Sequence, residues 1–105
     1  MKVCIASQGN DLNSEVDPRF GRCKYFIFLD TDTMQYEAVE NLWRDAQQGA
    51  GTQAGQFVAS KGVKALITGK IGPGAERVIK AAGIKVLEAH GKIIDVINKL
   101  QEEGK

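Results

Sequence analysis

The apolar positions of this chain fall into short runs at the front and into helical spacing further on. "KVCIAS" (Lys2–Ser7) and "KYFIFLD" (Lys24–Asp30) are compact runs rich in branched and aromatic residues, and they predict two strands. "QYEAVEN" (Gln35–Asn41) alternates apolar with polar residues, with Tyr36, Ala38 and Glu40 marking the alternation, and predicts a third strand paired as a hairpin. From Ala46 to Gly62 a glycine-rich approach gives way to Ala54, Phe57 and Val58 at spacings of three and four. That is a helix with Thr52 as its N-cap and Lys61-Gly62 as its stop. "KALITG" (Lys64–Gly69) is apolar throughout its centre, as a strand buried on both faces would be. Pro73 at an N1 position and Gly83 as terminator bound a second helix, "IKVLEA" (Ile84–Ala89) is a fifth strand, and Ile93, Ile94, Ile97 and Leu100 line one face of a last helix reaching Gly104.

The order is therefore β-β-β-α-β-α-β-α. Hairpins at the front must be antiparallel, and the β-α-β units behind them must be parallel and right-handed. The arrangement that satisfies both is an α/β fold with a five-stranded mixed sheet, order 3-2-1-4-5, strand two antiparallel to the rest, and three helices: a ribonuclease-H-like sheet. Its core is expected to hold Val3, Ile5, Phe26, Phe28, Leu66, Ile67, Val86, Ile94 and Ile97. In this topology the carboxyl ends of strands one, three, four and five share one edge with the start of strand two. Four segments should converge there: residues 8–23, 41–51, 69–74 and 89–91. Ligands of open α/β sheets bind at such an edge.

Composition changes this picture little. At 105 residues, 43% hydrophobic and 26% charged, the expectation is one domain over 1–105 with an ordinary core. Fourteen Lys and Arg against thirteen Asp and Glu leave a net charge of +1, so no global field draws the chain to nucleic acid or a membrane, and any preference for anions must be local. No apolar run approaches the ~20 residues of a membrane span. Met1-Lys2 runs straight into the first strand, and two cysteines make no disulfide framework, so a cytoplasmic protein is expected.

The candidate chemistry lies on the shared edge. "SEVDPRFGRCKYF" (Ser14–Phe26) sets Cys23 between Arg22 and Lys24, with Arg19 close by. Cationic neighbours favour a thiolate, although adjacent residues of an extended chain face opposite ways. Either the cysteine is incidental in a solvated loop or the turn is a seat for something negative. "TGKIGPGAERV" and "QQGAGTQAG" each bring glycines to a helix start, where free amide groups favour anions, and each is also an ordinary tight turn. Cys4 reads as a buried strand residue, His90 as a solvated loop histidine, and Trp43 as an anchor for its connector. Enzyme signatures are missing. Neither the first nor the fourth strand carries a carboxylate for a two-metal site, no nucleophile elbow accompanies His90, and a non-enzyme is expected.

Taken together, "VDPRFGRCKYFIFLDTDT", "QQGAG" and "ALITGKIGPGAERVIKAAGIKV" resemble the dinitrogenase iron–molybdenum cofactor family, which includes NifX- and NafY-like proteins, the C-terminal part of NifB and the orange proteins. The likeness runs over nearly the whole chain. It implies a protein that binds or carries an anionic metal–sulfur cluster or its precursor, of the iron–molybdenum or molybdenum–copper sulfide type. The implied role is a carrier or scaffold, with cofactor-assembly or regulatory proteins as partners. The alternative is a regulatory or interaction domain of the same fold with no cluster. Where relatives carry histidines, this chain has Arg19, Gln47 and Gln48. The resemblance therefore implies seating by charge-assisted hydrogen bonds. The implied seat comprises Arg19, Phe20, Gly21, Arg22, Lys24, Gly49, Gly51, Gly69, Lys70, Ile71 and Gly72, with Cys23 as an optional metal ligand.

Overall fold

A computed structural model describes residues 1–103; the expected helix end at Gly104 lies outside the described residues. The elements are β1 (Lys2–Ser7), a 3-10 turn (Phe20–Arg22), β2 (Tyr25–Asp30), β3 (Tyr36–Glu40), α1 (Ala50–Ala59), β4 (Ala65–Thr68), α2 (Pro73–Ala81), β5 (Lys85–Glu88) and α3 (Ile93–Glu103). The sheet order is β3-β2-β1-β4-β5. β2 runs antiparallel to both neighbours, and β1, β4 and β5 are parallel to one another. The topology expected from the residue pattern is the one observed.

Each strand divides its side chains between two cores because successive residues point to opposite faces. On one face Cys4, Ala6, Phe26 and Leu66 pack with Ala54 and Val58 of α1 and Ala75 and Ile79 of α2. On the other, Val3, Ile5, Ile27, Leu29 and Ile67 pack against Ile93 and Ile97 of α3. The central strands β1 and β4 are almost wholly buried, which is why their sequences read as continuous apolar runs.

Three expectations are corrected. Ile94 is half-buried and belongs to neither core; Ile93 and Ile97, one helical turn apart, take the inward stripe with Val96 and Leu100 beside them. Phe28 and Val86 flank the first core and are not within it, each being only partly buried. The N-cap of α1 is Gly49, at φ 74°, and not Thr52, which lies inside the first turn.

Candidate functional site

The four segments meet at the carboxyl edge of the sheet. The segment before β2 is threaded across it by backbone bonds: the amides of Gly69 and Lys70 donate to the carbonyls of Asp17 and Pro18 at 2.9 and 2.7 Å, and the Phe20 amide donates to the Lys70 carbonyl at 3.0 Å. Arg19 and Lys70 thus form a short parallel bridge. The Val16 amide bonds the Gly91 carbonyl at 2.9 Å, tying in the loop after β5.

Two glycines make this crossing feasible. A Cβ on Gly69 would collide with the backbone of Pro18, and a Cβ on Gly21 would lie 2.8 Å from the Gly51 Cα. The 3-10 turn therefore rests directly on the first turn of α1. The starts of α1 and α2 are themselves adjacent, since a Cβ on Gly74 would lie 2.8 Å from the Thr52 hydroxyl. Neither start carries a side-chain cap. Two sets of first-turn amides, each the positive end of a helix dipole, stand side by side at the edge.

The predicted site residues divide into distinct groups. Arg19, Lys24 and Lys70 are exposed, and none is within ion-pair distance of a carboxylate among the described residues. Gly49 and Gly72 are the N-caps of α1 and α2. Gly21, Gly51 and Gly69 are at the close approaches just described. Ile71 packs against the first core. Phe20 carries its ring inward: it is 1% exposed and lies 5.6 Å from the Phe26 ring, so only its backbone belongs to the edge. Arg22 is half-buried and points its Nη1 at the carbonyls of Arg44 and Ala46, both at 2.7 Å.

Cys23 is neither a solvated loop residue nor an activated thiol. It is fully buried, and burial, reinforced by the nearby Asp17 carboxylate, pushes its thiol up to about 12 from 9.0. Hydrogen bonds from the Ser7 backbone and Asn41 oppose the rise without overcoming it. The flanking Arg22 and Lys24 do not lower it, because one is committed to carbonyls and the other projects into solvent. Cys4 is buried in the same core, as expected, and its thiol is likewise raised, chiefly by burial. Trp43 packs against Phe57 with ring centroids 5.4 Å apart and the planes tilted by 49°, and anchors its connector.

Residues that sequence reasoning passed over lie beneath the surface. Asn41 is 1% exposed, and its Nδ2 donates to the carbonyls of Gly21 and Cys23 at 3.1 and 2.9 Å. Its only sequence signal is an asparagine at a strand end, the signature of the Asx turn it makes with the Trp43 amide at 3.0 Å. Asp17, 8% exposed, makes the same kind of turn to the Arg19 amide at 2.9 Å. Thr68 is fully buried and its hydroxyl has no partner among the described residues. His90 is exposed but lines a cavity of about 520 Å³ together with Val16, Pro18, Gly69, Lys70, Glu88 and Ala89. Among the described residues no three His, Cys, Asp or Glu side chains are grouped to hold a metal ion. The chemistry on offer is cationic side chains and amide donors.

A family model described as dinitrogenase iron-molybdenum cofactor matches residues 1–103. The chain belongs to that family. The fold agrees with the orange protein of Desulfovibrio gigas, solved in its apo form, at a TM-score of 0.91 and 33% identity over 97% of this chain and 88% of that one. A NifB-like protein from Thermotoga, solved by NMR, superposes at a TM-score of 0.81 with 41% identity over 96% of this chain and 87% of that one. An uncharacterized protein of Methanocaldococcus jannaschii is 38% identical over all of this chain and 88% of its own length. Membership connects the chain with iron–molybdenum cofactor or related metal-cluster binding. No helix among the described residues is long and apolar enough to cross a membrane.

Proposed function

We propose that the carboxyl edge seats an anionic metal–sulfur cluster or its precursor, and that the protein is a non-enzymatic carrier or scaffold in metallocofactor assembly. The observation that carries the reading is the meeting of two helix starts without side-chain caps, α1 and α2, beside Arg19 and Lys70, which pair with no carboxylate among the described residues. The cargo is of the molybdenum–copper or iron–molybdenum sulfide type. A thiometallate presents polarizable anionic sulfides that accept hydrogen bonds from amides and guanidinium groups without needing a protein ligand. Arg19, Lys24 and Lys70 would supply charge, and the amides around Gly49–Gly51 and Ile71–Gly72 would supply oriented donors, while Gly69 and Lys70, whose amides are bonded to Asp17 and Pro18, hold the loop in place. Cys23 in its protonated, buried form is a poor ligand at neutral pH, so the seat works by electrostatics and hydrogen bonding. The same reading places the carrier in the cytoplasm, handing its cargo between assembly or regulatory proteins.

The test is the visible absorption spectrum of protein purified without oxygen, followed by reconstitution with tetrathiomolybdate and copper. Sulfide-to-metal charge-transfer bands that co-elute with the protein support the reading. A colourless protein that also fails to take up the thiometallate favours a regulatory or interaction domain of the same fold.

A further inference from the structure

Arg22 and Asn41 share one task that neither the motif nor the family description assigns. Between them they claim four backbone carbonyls: Arg22 Nη1 takes Arg44 and Ala46, and Asn41 Nδ2 takes Gly21 and Cys23. The Asn41 amide also donates to the Lys24 carbonyl at 2.9 Å, and its Nδ2 approaches the Cys23 sulfur at 3.7 Å. Every one of these bonds joins the 20–24 turn to the connector 41–46. That connector leads directly to Gly49, the start of α1, and the Gly21 backbone presses on Gly51 in the first turn of that helix.

We infer that Arg22 and Asn41 are positioning residues, a two-part latch that holds the 3-10 turn against the start of α1 and so fixes the spacing of the anion donors. This rests on the cluster-seat reading and changes one part of it: the Arg22 guanidinium acts through carbonyl oxygens, not as a direct contact to the cargo. Its work is geometric. The planar guanidinium spans two carbonyls from a fixed direction, whereas lysine keeps the charge on a flexible stem. Asn41 works without any charge. By occupying carbonyl oxygens, the pair also keeps acceptor atoms of both segments engaged with the protein, leaving amides as the groups on offer at the edge.

The distinguishing variants are Arg22→Lys, which keeps the charge and loses the geometry, and Asn41→Leu, which keeps the size and loses the donors. Each is titrated with tetrathiomolybdate at low and high salt, and each is examined without ligand by amide NMR. The latch predicts about tenfold weaker binding in either variant with a salt dependence equal to that of the wild type. It also predicts a shifted Gly51 resonance and faster exchange at the Gln53 amide, which bonds the Gly49 carbonyl. Arg19→Ala, by contrast, should weaken both the binding and its response to salt. An Arg22→Lys protein that binds as the wild type does would make Arg22 an ordinary charge and overturn the inference. If Asn41→Leu does not fold, Arg22→Lys decides alone. Should the wild type bind no tetrathiomolybdate, the cluster-seat reading falls, and unshifted Gly51 and Gln53 amides in the variants would separately overturn the latch.

Discussion

Strand β2 has a turn at each end, and the two are built in different ways. The far turn, Asp30 to Gln35, closes its own loop with short-range bonds and is tied from outside by Met1 and Gln101. The Asp32 amide donates to the Asp30 carboxylate at 2.9 Å, the Gln35 amide to the Thr33 hydroxyl at 3.2 Å, and the Met34 amide to the Asp30 carbonyl at 2.7 Å. The Asp32 amide holds the Asp30 carboxyl below its usual range. From elsewhere, the Met1 amino group reaches Asp32 at 2.9 Å, the Met1 carbonyl accepts from the Thr31 amide and hydroxyl at 2.9 and 3.1 Å, and Gln101 of α3 donates its Nε2 to the Thr31 carbonyl at 2.9 Å. The near turn, Pro18 to Lys24, is held by residues 17 to 52 positions away: Arg44, Ala46, Asn41, Lys70 and the backbone of Gly51. A turn closed by neighbours forms wherever its strand does. A turn closed by distant segments exists only once the sheet and both helices are assembled, and it then arrives rigid. The candidate seat is on the rigid turn.

This contrast sets a graded series of effects. The largest belongs to Gly21→Ala. Its Cβ meets backbone, which cannot swing aside, so the variant should lose about 1–3 kcal/mol of unfolding free energy in a denaturant titration. A wild-type midpoint would mean that the turn does not rest on α1. Per buried thiol and pH unit, alkaline conditions come next. The Cys23 thiol titrates at about 12 when folded and near 9.0 when unfolded, so above pH 9 the unfolded chain releases a proton that the folded protein keeps. Stability should be constant below pH 9 and then fall until pH 12, by about 1.4 kcal/mol per pH unit from Cys23, with the raised Cys4 thiol adding a decline of its own. Cys23→Ser should remove its share of that slope and leave the share of Cys4. An equally steep decline in the variant would show that the Cys23 thiol is not among its sources.

Smaller still is Thr68→Val, at the end of β4 beneath the same crossing. Its hydroxyl is buried without a partner among the described residues, so the methyl replacement should raise stability by about 1 kcal/mol. A loss of that size would reveal a hydrogen bond the fold depends on. The smallest effect falls on the far turn. Asp32→Ala removes an exposed pair with the amino terminus and should cost under about 1 kcal/mol at low salt and less at high salt. A cost equal to that of Gly21→Ala would erase the distinction between the two turns.

The same distinction explains what the sequence could tell. Strand order, helix count and the convergence of four segments were legible because hydrophobic spacing and connection rules determine them. The local half of each polar device was legible in principle, since Asp17 and Asn41 sit where Asx turns are expected. The long-range half was not. Nothing near Arg22 in sequence indicates that its guanidinium is spent on the carbonyls of Arg44 and Ala46, and so it read as a free cation. Cys23 likewise stayed open between an incidental cysteine and a thiolate favoured by its charged neighbours. Its state is set by what lies over it in three dimensions, namely the first core, Asp17 and Asn41. Phe20, next to the arginine of the motif, proved to be a core residue for the same reason.

The central claim is that the near edge binds an anionic cluster through charge and oriented amides. The most direct measurement is the affinity of the protein for tetrathiomolybdate as a function of salt, in the wild type and in an Arg19→Ala, Lys70→Ala double variant. The account predicts saturable binding that weakens as salt rises, and at least about a hundredfold loss in the double variant together with a flatter salt response. Binding of equal strength and equal salt dependence in both proteins would contradict it.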